Sequence, residues 1–260
     1  MKKMKYTQEL CPIIQKDMLN RTTFSFVVKS EKAVQTMQPG QFANIRVEGK
    51  TLRRPISVCG FSREEGWIRF VFEIRGEGTA ILAKMNEGDT LDILAPLGNG
   101  FAIDPAEKAV FVGGGIGVPP LLGASAPYGE NATVLLGFRS MRAIILSDEF
   151  EANGADVRIA TDDGSYGHHG FVTQLLAQRL DEAPCDVIYA CGPTPMLKLV
   201  AAEAEKRGIR CMVSLEERMG CGVGACLVCA CKTKREDGSE TYRHVCKNGP
   251  VFDSREVVWE

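Results

Sequence analysis

Ala109-Val-Phe-Val-Gly-Gly-Gly-Ile-Gly-Val-Pro-Pro-Leu-Leu122 holds the transition that decides the fold. Its four apolar residues run without alternation, the pattern of a strand buried on both faces. The glycines that follow permit a tight turn, and prolines at the start of a helix cost nothing, because the first helical N–H groups have no intrahelical partner. A strand, a glycine-rich turn and a helix in that order offer backbone N–H groups to a pyrophosphate at the helix start. Gly113, Gly114, Gly115 and Gly117 are therefore candidate dinucleotide contacts. The turn departs from G-x-G-x-x-G, because neither Gly113 nor Gly115 as first residue places a glycine sixth. A plain tight turn in an α/β sheet is the other reading.

Downstream the texture continues. Apolar runs at residues 132–137, 156–160, 187–190 and 211–214 alternate with helical patterns at 170–180 and 194–207, which predicts a parallel sheet covered on both faces. A second strand-to-helix loop, Cys191-Gly192-Pro193, falls at the carboxyl edge, where open α/β sheets bind ligands. Cys191 is a candidate nicotinamide neighbour, although a buried thiol at a strand end is the commoner fate. The polar loop 161–170 falls on the same edge, as a further dinucleotide contact or as a simple connection. After the strand ending at Gly137 no acidic residue stands where a ribose 2′-hydroxyl would ask for one, whereas Arg139 and Arg142 are placed to meet a 2′-phosphate.

Upstream, short alternating runs such as 23–28, 41–47, 67–74 and 90–94 are separated by turn signals, which predicts an antiparallel barrel or sandwich with one helical piece at 79–85. Arg54 is suited to bidentate phosphate binding, and Gly78 and Thr79 to offering N–H and hydroxyl donors at a helix start. Each signal is weak alone, since a barrel arginine is usually solvated or salt-bridged.

Beyond residue 215 stand Cys221-x4-Cys226-x2-Cys229-x16-Cys246. That spacing suits a plant-type [2Fe-2S] cluster, with glycines between the cysteines to wrap the chain around it. A structural zinc site is the alternative, though such sites usually pair two C-x2-C knuckles and only one is present. Cys231 is read as outside the ligand set. The resulting fold class is an antiparallel barrel (1–103), a parallel-sheet α/β domain (104–214) and a small C-terminal iron–sulfur domain (215–260).

Among the 260 residues, 31 Lys and Arg against 33 Asp and Glu leave a net charge of −2, so neither nucleic acid nor an anionic membrane is implied as partner. Half of the ten cysteines crowd into one segment, which fits a metal centre in a reducing compartment better than a disulfide scaffold. The basic opening has no apolar core of a signal peptide. A cytoplasmic location is expected.

In this order the elements resemble the ferredoxin reductase family, through Arg54-Pro-Ile-Ser57, Gly113 to Gly117 and Cys191-Gly-Pro193. With Arg53-Arg-Pro-Ile-Ser57, Thr161-Asp-Asp-Gly-Ser-Tyr-Gly167 and the cysteine pattern combined, the whole chain is similar to electron transfer subunits of class 1B dihydroorotate dehydrogenases. The resemblance implies FAD held by Arg54, Pro55, Ile56, Ser57, Val71, Phe72, Glu73, Gly78 and Thr79. It implies a [2Fe-2S] cluster on Cys221, Cys226, Cys229 and Cys246, and NAD(H) as diffusible substrate, favoured over NADP(H) despite the two arginines. Hydride from NADH would enter at the flavin and leave singly through the cluster. It further implies an FMN-containing dihydroorotate dehydrogenase catalytic subunit as partner, two of each in a heterotetramer serving pyrimidine biosynthesis. Ile56 stands where the wider family has an aromatic to stack on the flavin. Rival readings are the small subunit of another flavin and iron–sulfur reductase, of the ferredoxin:NADP oxidoreductase or sulfide dehydrogenase type, and a zinc-stabilised interaction module.

Overall fold

A computed structural model describes residues 6–259, so the first five residues of the basic opening and Glu260 lie outside the described residues. Six strands close into a barrel in the order β1-β2-β5-β4-β3-β6: β1 (Thr7–Met18), β2 (Thr23–Lys29), β3 (Phe42–Ile45), β4 (Arg54–Ser62), β5 (Trp67–Glu73) and β6 (Thr90–Leu97). Closure leaves no strand edge to shield. Phe26, Val28, Ile45, Ile68, Phe70 and Ile93 alternate inward and fill it. The short helix α1 (Glu77–Leu82) lies between β5 and β6.

The second unit is a seven-stranded sheet ordered β10-β9-β8-β7-β11-β12-β15, its last strand being Val251–Asp253. The parallel core consists of β7 (Ala109–Gly114), β8 (Ala132–Phe138), β9 (Asp156–Thr161), β11 (Val187–Cys191) and β12 (Arg210–Ser214), with the two-residue β10 (His168–His169) at one edge. Helices α2 (Pro119–Ser125), α3 (Ser147–Ala152), α4 (Val172–Glu182) and α5 (Thr194–Lys206) cover its faces. Val110, Phe111, Val112, Leu135 and Leu136 are fully buried, as a two-sided sheet requires. Among the described residues no helix is long and apolar enough to cross a membrane.

The C-terminal segment supplies the other edge. After the cysteine loop come the hairpin β13 (Ala230–Lys234) and β14 (Glu240–His244), the turn of helix α6 (Val245–Asn248) and β15 (Val251–Asp253). This last strand runs antiparallel to β12, so the segment is built into the nucleotide-type sheet. Its buried side chains, Cys229, Val245, Cys246 and Phe252, join one core with Val112 and Val213 of the sheet and with Phe42 and Leu97 of the barrel. The small size that argues against a core of its own is resolved by borrowing.

Two further contacts fix the barrel to the sheet. Tyr189 Oη donates to the Ala102 carbonyl at 2.6 Å, and Tyr128 Oη, 3.0 Å from Tyr189 Oη, accepts from the Asp104 N–H, so two tyrosines hold the connecting segment. Arg69 on β5 pairs with Glu149 on α3 through Nη1 and Nη2, and its Nε donates to Ser25 Oγ.

Candidate redox site

The glycine-rich turn and the Cys191-Gly192-Pro193 loop interlock at the carboxyl edge of the sheet. A Cβ on Gly117 would lie 2.5 Å from the Cys191 carbonyl oxygen, and one on Gly192, whose φ is +157°, would lie 3.1 Å from the Gly114 backbone. Only glycine allows two loops to cross backbone to backbone in this way. Gly114, Gly115 and Gly117 line a cleft of about 1290 Å³ between barrel and sheet, together with Gly192, Pro193, Met196 and, from the barrel side, Glu73 and Arg75. Gly113 is packed behind the turn, where a Cβ would press on Val118.

Cys191 is buried, and burial pushes its thiol up to about 12 despite a hydrogen bond with Ser214. It stays a neutral thiol beneath the cleft floor and does not line the cleft. The loop 161–170 contributes Asp162 to the cleft wall, while Thr161, Asp163, Ser165 and Tyr166 bond mostly among themselves. Arg139 and Arg142 line the same wall. The acidic group that the sequence lacked after Gly137 thus arrives from the end of the neighbouring strand β9. Parallel pairing of β8 with β9 sets Phe138 beside Thr161, and no local motif announces that juxtaposition.

On the barrel, β4 carries Arg54, Pro55, Ile56 and Ser57, all partly accessible. Arg54 lies so close over Gly78 that a Cβ there would overlap its guanidinium, which brings together two residues singled out separately from the sequence. Thr79 departs from the expected free hydroxyl donor. Its Oγ1 accepts from the Arg75 and Gly76 N–H groups and donates to the Gly76 carbonyl, which closes the start of α1. At Val71 and Phe72 the main chain, and not the side chain, is left for the expected cofactor contact. Phe72 points into the barrel against Phe26, and Val71 packs into the core beneath the sheet, so neither side chain is free for a cofactor. A strand that closes a barrel must turn its apolar groups to the two cores. Glu73, at the end of β5, pairs with Arg75 at 2.9 Å on the cleft rim.

The four candidate ligand cysteines come together from the loop 221–229 and from α6. Their sulfurs form two side-by-side pairs, Cys221 with Cys226 at 3.4 Å and Cys229 with Cys246 at 3.3 Å. All ten cysteines are free thiols. Two adjacent sulfur pairs suit two tetrahedral centres sharing bridging atoms. Backbone N–H groups of Val223, Ala225 and Cys226 point at Cys221 Sγ, and that of Gly224 at Cys246 Sγ. Against the penalty of burial, these donors bring the Cys221 thiol down to about 6, toward the thiolate that binds iron. Cys246 is pushed up to about 12 by burial and by its contact with Cys229. Cys231 begins the outgoing hairpin and makes no sulfur contact with the four; burial raises it to about 11. Leu227 and Val228, inside the loop, are exposed.

Asn44 on β3 was silent in the sequence. It is 1% exposed, its Nδ2 donates to the Cys221 carbonyl at 3.4 Å, and its Oδ1 has no partner among the described residues. An unpaired buried acceptor of that kind costs about 1–3 kcal/mol.

The family profile described as the iron–sulfur cluster binding domain of dihydroorotate dehydrogenase B matches residues 216–258, and the oxidoreductase FAD-binding domain matches residues 11–101. Over 96% of this chain and 98% of the relative, the sequence is 42% identical to the dihydroorotate dehydrogenase B (NAD(+)), electron transfer subunit, of Geobacillus thermodenitrificans (strain NG80-2). The chain belongs to that family. The corresponding subunit of Shouchella clausii (strain KSM-K16) is 41% identical over 98% of the chain and its own full length. Among solved structures, the NADH-dependent reduced ferredoxin-NADP oxidoreductase, studied for flavin-based electron bifurcation, superposes with a TM-score of 0.85 at 33% identity, covering 97% of this chain and 91% of that one. Amycolatopsis cytochrome P450 reductase GcoB, at a TM-score of 0.66 and 19% identity over 78% of this chain and 66% of its own, shares the fold.

Proposed function

We propose that this chain is the electron transfer subunit of an NAD-linked dihydroorotate dehydrogenase. It connects NAD(H) at the inter-domain cleft with an FMN-containing catalytic subunit that docks elsewhere on the molecule and interconverts dihydroorotate and orotate. The observation that carries the reading is the union, in one chain, of a glycine-lined cleft beside a flavin-type barrel with two adjacent sulfur pairs in a loop of N–H donors. When bound, FAD supplies two-electron hydride exchange and a [2Fe-2S] cluster supplies one-electron exchange.

The residues divide that work. Arg54 and the backbone of Gly78 and Thr79 would hold the FAD phosphates, and β4 from Pro55 to Ser57, with the rim at Glu73, would border the ring. Gly114, Gly115, Gly117, Gly192 and Pro193 would seat the dinucleotide. Cys221, Cys226, Cys229 and Cys246 would ligate the two irons in the pairs described. Asp162 gives the nucleotide wall a negative group that accepts ribose hydroxyls and repels a 2′-phosphate, which supports NADH over NADPH despite Arg139 and Arg142. The protein would work in the cytoplasm, where the six cysteines outside the cluster set stay reduced. With its catalytic partner it would form a heterotetramer of two subunits of each kind.

The test is anaerobic co-purification with the flavin-containing catalytic subunit, followed by assay of NADH-linked dihydroorotate and orotate interconversion. Coupled turnover with stoichiometric FAD and two irons per chain supports the reading, and a colourless preparation containing zinc ends it. The 33% identity to the ferredoxin-NADP oxidoreductase favours a second reading, a small subunit of another flavin and iron–sulfur oxidoreductase. Coupling to ferredoxin and NADP, without coupling to orotate, would select it.

A further inference from the structure

We infer that Asn44 is the positioning residue that locks the cysteine loop to the flavin-type strand of the barrel, and this rests on the proposal that Cys221 ligates the cluster. The four residues of β3 are all buried. Ala43 and Ile45 enter the barrel core, and Phe42 enters the core shared with the C-terminal segment. Asn44 is the polar residue among them, at a place where an aliphatic side chain would fill the space without desolvating an amide.

Its contacts explain the amide. The main chain of Asn44 lies opposite Pro55 in the β3–β4 ladder, and its carbonyl accepts from Arg53 Nη1 at 3.2 Å. Arg53 is itself fixed by Asp92, through the carbonyl and Oδ1, both at 2.9 Å. The Asn44 side chain reaches the other way, with Nδ2 on the Cys221 carbonyl. One residue thus ties the strand of Arg54 to Ser57 to the peptide of the first cysteine. Exchanging the amide's oxygen and nitrogen would set two acceptors face to face, so the carbonyl of Cys221 fixes its orientation.

The loop is shaped to receive it. Gly222 has φ +72°, and a Cβ there would lie 2.5 Å from Asn44 Nδ2. The peptide that Asn44 grips leads directly into the Val223, Ala225 and Cys226 N–H groups that converge on Cys221 Sγ. Hydrogen bonds to ligand sulfurs tune the potential of an iron–sulfur centre and its hold on iron. Asn44 therefore acts on the cluster through the tilt of the Cys221 peptide, without touching sulfur.

The experiment uses the anaerobically purified full chain and two variants. Asn44→Ala removes the amide; Asn44→Asp keeps its shape but has no donor for the carbonyl. FAD content reports whether the barrel has folded. In both variants the expected result is an altered electron paramagnetic resonance spectrum of the reduced cluster, a shifted midpoint potential and iron loss to a chelator about tenfold faster than in the parent. Parental spectrum, potential and chelation rate in Asn44→Ala, with only a lower melting temperature, would overturn the inference and leave Asn44 as interdomain packing. Should Asn44→Asp fail to retain FAD, Asn44→Ala alone decides. A parent chain lacking any [2Fe-2S] signal would instead remove the functional proposal, and this inference with it.

Discussion

The barrel and the cysteine segment are stabilised in opposite ways. The barrel closes on itself, and its interior is filled by its own strands from Cys11 to Ala95. The segment beyond residue 215 has no separate interior; it lends Phe252, Val245 and two cysteines to a core whose other walls are the sheet and the outside of the barrel. One unit can hold a cofactor on its surface without depending on it, while the other is expected to need both its neighbours and its metal. The difference teaches that the cluster loop is positioned by the rest of the chain, not by a private scaffold.

The severest way to break the comparison is Cys226→Ser. Loss of one thiolate from the Cys221 pair should abolish the reduced-cluster resonance and raise amide hydrogen exchange across 216–248, while FAD stays bound to the barrel; equal loosening of both regions would refute the asymmetry. Phe252→Ala is next. Emptying a 3%-exposed phenylalanine should cost about 3–5 kcal/mol in denaturant unfolding, with the cluster lost at lower denaturant than the flavin.

Arg54→Ala probes the other side of the contrast. Removing a charged donor to phosphate, worth about 1.5–3 kcal/mol, should weaken FAD retention about ten- to hundredfold in equilibrium dialysis and leave the iron content as it was. The smallest effect is expected at Asp162→Ala, which should raise kcat/KM for NADPH relative to NADH about tenfold in flavin-reduction kinetics without altering either FAD or iron content.

What could be read from the sequence follows from where each signal is stored. The central strands β7, β8 and β11 are legible because burial on both faces demands an unbroken apolar run, and the cysteines because ligand spacing is local in the chain. β1 has no such clarity. Leu10, Ile14 and Met18 sit exposed on its outer surface and Pro12 interrupts it, which blurs the alternation that its inward Cys11 and Ile13 keep. β15 is three residues long and exists only because the open edge of β12 is available. Asn44 is unremarkable in sequence, and the loop 161–170 does not by itself single out Asp162, since each gains meaning from a residue on another element: Phe138 across a parallel ladder for Asp162, Cys221 across 177 positions for Asn44. Phe72 shows a related limit, because a resemblance carries a residue's address along the chain but not the face of the strand on which its side chain lies, here the barrel interior.

The loop Gly98–Asn99 beyond β6 is gripped by the last part of the chain: Asn99 donates its N–H to the Gly249 carbonyl at 2.6 Å and its Nδ2 to the Asn248 carbonyl at 2.9 Å. That grip, with β15 on the sheet edge, imposes a sequence of events on biosynthesis. The barrel emerges from the ribosome first and can close with its own strands, but the seat for the cysteine loop is complete only when Val251–Asp253 has been made and docked. Iron bound by the four cysteines would then find its seat complete only once residue 253 had been made.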